Sequence, residues 1–312
     1  MAKCLVLGGN GFIGSHLVDS LIEAGHSVRA FDRYGDRPAK FLAHTNVETY
    51  KGDFLNRADL SNALQNMDYV FHFISTTTPI TAENDPLIDI ETNIKMSIQL
   101  FEECVNHKIK KVIFASTGGA IYGASSVGKP LAETVLPLPF SPYAIGKLTI
   151  EHYLRYFNKK FGLNSLTFRI SNPYGERQSL LSKQGVIPIF LQHIAGNEPI
   201  TVLGDGSMVR DYIYVKDVAR LITASFEQAR EQLYNLGSGR GETVNELIQA
   251  MEAVVDRPIR RNQQEVPVTF VDKVVLDIGL YTSEFGDQPM TSLEEGIRKT
   301  WEYVLASQQE PK

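Results

Sequence analysis

A chain of 312 residues, 43% hydrophobic and 21% charged, is long enough for about two domains and has the composition of an ordinary soluble globular protein. Its formal net charge of −5 argues against the broad basic surface of a nucleic-acid binder, while leaving room for a local cationic pocket. Two cysteines, Cys4 and Cys104, are too few for a disulfide framework, no Cys/His cluster has metal-site spacing, and no leader or membrane-length apolar run stands out, so a metal-free cytoplasmic enzyme is expected.

The first predicted strand, Cys4–Leu7, runs into Gly8-Gly9-Asn10-Gly11-Phe12-Ile13-Gly14, and a helical pattern follows over Ile13–Glu23. The run contains both Gly8-x-x-Gly11-x-x-Gly14 and Gly9-x-Gly11-x-x-Gly14. Between a strand and a helix, glycines permit a tight turn and a close approach of backbone to a pyrophosphate, which the helix's free amides and positive end would bind. The pattern is that of a dinucleotide site. The next strand, Ser27–Phe31, leads to Asp32, 18 residues after Gly14. A carboxylate there accepts from an adenosine ribose and repels a 2′-phosphate, favouring NAD over NADP, although Arg33 beside it could neutralise such a phosphate. A third strand, Val47–Lys51, ends in Gly52-Asp53-Phe54, where Asp53 could meet an adenine amino group or simply close a surface turn.

A helix is expected over Ala58–Gln65, a strand over Tyr69–Phe73 and a long helix over Pro86–Val105. The strand Lys111–Ala115 ends in Ser116-Thr117-Gly118-Gly119-Ala120-Ile121-Tyr122-Gly123. It puts hydroxyls at the carboxyl edge of a parallel sheet, where they could donate to a substrate oxygen or merely terminate the strand. The helix Pro142–Phe161 carries Tyr143 and Lys147 four residues apart, hence on one face. A lysine beside a phenol favours the phenolate, as would the positive nicotinamide ring of NAD, and such a tyrosine can take a proton from a substrate hydroxyl. Alone, Tyr-x-x-x-Lys is a frequent accident of solvated helices; the glycine loop upstream gives it weight.

A sixth strand, Ser165–Arg169, completes a rhythm of short buried strands and helices that implies an α/β, doubly wound parallel sheet (Rossmann). Beyond it lie loop-like pieces at Asn172-Pro173-Tyr174-Gly175 and Gly204-Asp205-Gly206, a helix near Val215–Gln228, a strand at Tyr234–Leu236 and an amphipathic helix at Ser292–Ala306. The expected division is an NAD-binding domain of residues 1–170 plus about 215–236, and a smaller mixed α/β substrate domain of about 171–214 plus 237–312.

These motifs resemble those of the extended short-chain dehydrogenase/reductase superfamily, in particular its NAD-dependent epimerase/dehydratase family and the UDP-glucose 4-epimerase branch. The resemblance rests on Gly-Gly-Asn-Gly-Phe-Ile-Gly-Ser-His-Leu at 8–17, on Ser141-Pro142-Tyr143 with Lys147, and on Arg169 through Gln178. It extends to Gly204-Asp205-Gly206 before Arg210-Asp211-Tyr212, to Val215-x-Asp217-Val218, to Tyr234-Asn235-Leu236-Gly237 and to Ser292-Leu293-Glu294-Glu295-Gly296.

The resemblance implies an NAD site shaped by Gly8, Gly11 and Gly14, with the Phe12 and Ile13 amides on the pyrophosphate and Asp32 on ribose. Asp53 and Phe54 would contact adenine and Asn93 would lie near the cofactor, which Tyr143 and Lys147 also touch as the catalytic pair. Asn172 and Arg210 would hold a nucleotide sugar, Arg210 through its guanidinium on phosphate; the alternative for Arg210 is a local ion pair with Asp211. The family's usual hydroxyl position falls on Gly118, so Thr117 becomes the acting hydroxyl and substrate contact, with Ser116 second. The family's C-terminal Arg-x-x-Asp motif has no clear counterpart, though Arg260, Arg261 and Glu265 stand nearby.

Dehydratase and decarboxylase branches carry an acid where this chain has Thr117-Gly118-Gly119-Ala120. The reaction implied is therefore C4 epimerisation of a UDP-sugar of the glucose/galactose type, N-acetylated or glucuronate forms included, through a transient 4-keto sugar. A 4,6-dehydratase or a reductase is the rival, and a non-catalytic NAD-binding regulator the more distant one. Relatives pair through two long helices, here about Pro86–Val105 and Pro142–Phe161, which implies a homodimer.

Overall fold

The computed structural model describes residues 1–35, 37–123, 129–179, 185–266 and 271–309. The first half supplies strands β1 (Lys3–Leu7), β2 (Ser27–Asp32), β3 (Val47–Lys51), β4 (Tyr69–His72), β5 (Lys111–Thr117) and β6 (Ser165–Ile170). Every residue of β6 and all but the first of β1 are buried, the pattern of central strands covered on both faces. β3, by contrast, has no fully buried residue and lies at an edge. The intervening helices are α1 (Phe12–Glu23), α2 (Arg57–Ala63), α3 (Pro79–Asn84), α4 (Pro86–Asp89), α5 (Lys95–Asn106) and α6 (Pro142–Phe161).

The second half adds β7 (Asn172–Tyr174), α7 (Val186–Ala195), β8 (Ile200–Leu203), β9 (Val209–Arg210), β10 (Tyr212–Tyr214), α8 (Val215–Ser225) and β11 (Leu233–Leu236). It ends with β12 (Glu242–Thr243), α9 (Val244–Val255), β13 (Arg261–Gln264), β14 (Lys273–Val274), α10 (Gly279–Phe285) and α11 (Leu293–Gln309).

Seven strands form one parallel sheet in the order β11-β6-β5-β4-β1-β2-β3. Helices α1 and α8 cover one face through a core including Leu17, Leu21, Val218 and Ile222. Helices α2, α5 and α6 cover the other through Leu60, Leu100, Phe101, Ile150 and Leu154. Burying such side chains contributes about 1.5–3 kcal/mol each. The chain winds outward from β1 to β3 and then returns to β4 on β1's other side, so the loops diverge there and open a crevice at the strands' carboxyl ends. A third core gathers Tyr174, Ile187, Leu191, Tyr212, Leu247, Ile248 and Ile297 beneath α7, α9 and α11, where the short strands pair as β10-β7, β12-β9-β14 and β13-β8.

Two local features differ from the sequence expectation. The long helix over Pro86–Val105 is interrupted by a π turn at Ile90–Ile94, which turns Asn93 inward as Asp89, just before it, faces the same way; both are buried. α3 was unexpected, although its signal stands in the sequence: Thr78 caps it, Thr81 closes a reciprocal box and Pro79 opens its first turn. Among the described residues no helix is long and apolar enough to cross a membrane, and no cluster of His, Cys, Asp or Glu could hold a metal ion.

Candidate active site

The crevice begins at the glycine loop. The amides of Gly8 and Gly9 both donate to the Phe31 carbonyl, at 2.9 and 3.0 Å, fixing the loop to the end of β2. Gly8 sits at φ +82°, and a Cβ there would press on the Ile74 backbone at 3.0 Å. A methyl at Gly14 would overlap the Gly8 carbonyl oxygen. α1 thus approaches the loop as closely as bare backbone allows, leaving a cradle that side chains would fill. The helix starts after Gly11 with no side-chain cap and no acid in its first turn. Its first amides, at Phe12 and Ile13, have no intrahelical acceptor and stay available to an anion.

At one end of the crevice Asp32 accepts from the amides of Asn10 (3.1 Å) and Arg33 (2.8 Å). Asn10 is itself fastened to the Pro38 carbonyl and the Lys40 amide. At the other end, on α6, Lys147 is buried and donates to the Ala115 carbonyl at 2.9 Å. Its Nζ lies 5.7 Å from the centre of the Tyr143 ring and 4.8 Å from that of Phe114. Burial lowers Lys147 to about 8, against the raising influence of Asp89 and Glu151. Burial, and then Asp89, raise Tyr143 to about 12. A cation entering beside this phenol would favour its ionised form.

The cleft, of about 440 Å³, is lined by Gly8, Gly11, Phe12, Ile13, Gly14, Asp32, Asp53, Phe54, Ser116, Thr117, Tyr143 and Lys147 together. A groove with a glycine-lined phosphate cradle, a carboxylate at one end and a Tyr/Lys pair at the other suits a dinucleotide.

The sequence pattern of the NAD dependent epimerase/dehydratase family matches residues 4–237. The chain belongs to that family. It is 32% identical over 303 residues, 95% of each chain, to the dTDP-4-dehydro-6-deoxyglucose reductase of Escherichia coli. The UDP-glucose 4-epimerase of Thermotoga maritima, solved with UDP-glucose, superposes with a TM-score of 0.92 at 35% identity, covering 98% of this chain and 100% of that one. The UDP-glucose 4-epimerase of Thermus thermophilus, solved in complex with NAD, gives 0.89 at 31% identity, covering 97% and 98%. This epimerase/dehydratase family member is an enzyme whose cofactor is NAD.

The residues singled out in the family member's sequence occupy distinct settings. The Ser116 hydroxyl donates to Glu151 at 2.5 Å, and Glu151 also receives the Arg169 guanidinium at 2.8 Å. Ser116 is therefore committed to a buried ion pair, whereas Thr117, at the tip of β5, is only half-buried. Gly118 cannot take the hydroxyl usual at its position, because a Cβ would meet Leu276 at 2.5 Å and the Arg169 carbonyl at 2.9 Å. Asn93 does not line the cleft. It sits behind it, its carboxamide oxygen accepting from the amide and hydroxyl of Thr76, both at 3.0 Å. Phe54 is fully buried and packs near His72, so it forms the floor, while Asp53 caps the amide of Leu55 at 3.0 Å.

Asn172 and Arg210 lie beyond the Tyr/Lys end. The Asn172 amide donates to the Asp211 carbonyl at 2.9 Å, and its oxygen lies 3.1 Å from where a Cβ on Gly119 would stand. Arg210 lines a second pocket of about 210 Å³ with Gly119, Ala120, Phe140 and Ser141. It makes no ion pair with Asp211, whose carboxylate accepts instead from Ser238, Gly239 and Leu276. Among the described residues, Arg210 donates to the Val209 and Asp272 carbonyls. Sequence reading missed Glu83 in that pocket, and Ser75-Thr76-Thr77-Thr78 along the main cleft. The hydroxyl-rich run was visible; the placement of Glu83 depends on the unexpected α3.

Proposed function

We propose that this enzyme is a UDP-hexose 4-epimerase of the glucose/galactose type, N-acetylated sugars included. The observation that carries the reading is the distribution of acids in the cleft. Asp32 and Asp53 lie at the ribose end, Glu83 lines the separate Arg210 pocket and Asp89 is buried behind the wall. Among the described residues that line the main cleft, no carboxylate accompanies Thr117, Tyr143 and Lys147. Eliminating water or losing carboxylate needs a further acid or base beside the oxidised sugar; simple oxidation and reduction do not.

Gly8, Gly11, Gly14, the Phe12 and Ile13 amides and Asp32 would hold NAD, which would supply a reversible hydride acceptor for C4. The phenolate of Tyr143 accepts the C4 hydroxyl proton and later gives it back. Lys147, held on the Ala115 carbonyl, stabilises the phenolate, and the Thr117 hydroxyl donates to the same sugar oxygen. Ser116 serves the fold rather than the reaction. Arg210, a cation facing the pocket, binds the diphosphate, while Asn172 orients the sugar. Gly118, Gly119 and Ala120 leave a wall without long side chains, against which the 4-keto sugar can turn before its other face is reduced. Residues 1–170 with about 215–236 form the cofactor half and the remainder the substrate half. The exposed side chains Ile145, Tyr153 and Tyr156 on α6 support a homodimer through α5 and α6.

The 32% identity to a 4-keto sugar reductase favours a second reading, in which the same residues reduce a 4-keto sugar irreversibly. Incubating the purified protein with UDP-galactose and no added cofactor separates them. UDP-glucose at many turnovers per protein supports epimerisation. No UDP-glucose, together with stoichiometric NADH consumption on a nucleotide-linked 4-keto-6-deoxy sugar, overturns it in favour of reduction.

A further inference from the structure

We propose that Asp89 is a positioning residue for the Tyr143/Lys147 pair, its carboxylate joining the catalytic helix to the hydroxyl-rich wall of the cleft and supplying the charge against which the pair ionises. The proposal rests on the catalytic reading above.

Asp89 is 3% exposed, and ends α4 just before the π turn. Its Oδ1 accepts from the Thr77 hydroxyl at 2.5 Å and from the Asn93 amide at 2.7 Å. Asn93 also bonds Thr77 at 2.8 Å, closing a ring of three side chains behind the cleft wall. The other carboxylate oxygen lies against Gly146, where any side chain would overlap it. Gly146 stands between Tyr143 and Lys147 on α6, and is buried. Asp89, Tyr143 and Lys147 line one small cavity with His72, Asn93 and Ser97. The carboxylate therefore touches the wall with one oxygen and the catalytic helix with the other.

A buried carboxylate is costly, and neither a wall nor a helix needs one. The charged and titratable groups around the pair leave this role to Asp89. His72, on β4, bonds Ser97 at 2.8 Å and is held neutral, lowered to about 3 by burial and then by Lys147. Glu151, one turn beyond Lys147, is already bound to Ser116 and Arg169. Asp89 is the charge that acts on both members of the pair, raising Lys147 and Tyr143 alike. It keeps the ammonium protonated at the cost of a more reluctant phenol. Bound NAD supplies positive charge on the other side of that balance.

The test reads ionisation apart from turnover. In NAD-loaded protein, the tyrosinate absorbance lost on Tyr143→Phe reports the pair's titration. Asp89→Asn should move that midpoint down by about one pH unit, because removing a negative charge stabilises the deprotonated pair. The pH profile of kcat should shift in the same direction, with KM for the UDP-sugar unchanged. Gly146→Ala, which pushes the carboxylate away without altering it, should lower the midpoint too, and covers the case in which Asp89→Asn does not fold. A midpoint unmoved in whichever variant folds, with only stability or kcat reduced, assigns Asp89 a purely structural role and overturns the inference while leaving the catalytic reading intact. A wild-type titration that Tyr143→Phe does not remove overturns both.

Discussion

Lys147 Nζ donates to the Ala115 carbonyl across 2.9 Å, and so ties the helix that carries Tyr143 to the strand that ends in Thr117. The bond uses one of three ammonium protons and fixes where the remaining positive charge can point. A lysine whose charge is already disfavoured by burial keeps it only because this carbonyl and nearby carboxylates favour the protonated form.

Tyr143→Phe should lower kcat by about 10³-fold with the fold and the NAD content unchanged, since it removes one oxygen that donates or accepts only during proton transfer. Lys147→Met should cost as much in rate and also raise the pH at which Tyr143 ionises, because a neighbouring cation is lost. Steady-state rates, bound-cofactor absorbance and circular dichroism of the three proteins check this. Near-wild-type turnover in Tyr143→Phe would remove the proposed mechanism.

Thr117 and Ser116 are adjacent yet should fail in different ways. Thr117→Val is expected to reduce kcat by about 10²-fold at unchanged stability, as loss of a donor to the reacting oxygen does. Ser116→Ala leaves Glu151 short of one hydrogen bond inside a buried ion pair, and should lower stability by about 1–3 kcal/mol. Comparing urea unfolding midpoints with kcat for each variant decides. The reverse pattern would make Ser116 the acting hydroxyl.

Much of this was legible in the sequence, and the limits have physical causes. Strands β1 to β6 are long enough for a buried run to show, and Gly8, Gly11 and Gly14 mark a turn whose geometry admits little else. By contrast β9, β12 and β14 have two residues each and cannot display a period. That Ser116 is spoken for depends on Glu151, 35 positions away. That Arg210 is free of Asp211 depends on amides arriving from Ser238, Gly239 and Leu276. That Asn93 holds the wall from behind depends on the π turn at Ile90–Ile94, which no periodicity announces.

Two buried histidines should make the fold sensitive to acid. Burial, foremost, lowers His72 to about 3 and His16 to about 4, from an ordinary value near 6.5. Between pH 6.5 and these values the unfolded chain binds more protons than the native one. Stability is therefore retained above about 6.5 and lost as pH falls toward 4 and then 3. Urea melts at pH 7, 5.5 and 4.5 should show midpoints falling steadily, and His72→Asn should flatten the decline. An undiminished slope in that variant would place the acid sensitivity elsewhere.

Arg210 should govern affinity more than rate. It has no carboxylate partner among the described residues, so Arg210→Met strands no buried charge and the protein should fold. A charge-assisted contact to diphosphate is worth about 1.5–3 kcal/mol, which predicts KM for the UDP-sugar raised about 10- to 150-fold with kcat within a few fold. Arg210→Lys should recover only part of this, because an ammonium cannot reproduce the two-pronged geometry of a guanidinium. Glu83 shares the pocket and repels a second negative group, so UDP-glucuronate should be the poorer substrate. Glu83→Gln should narrow that gap by about two- to threefold, the scale of a solvent-exposed charge interaction. Parallel KM and kcat measurements on UDP-glucose and UDP-glucuronate test both residues. A fall in kcat at constant KM for Arg210→Met would move it from holding phosphate to shaping the reacting centre.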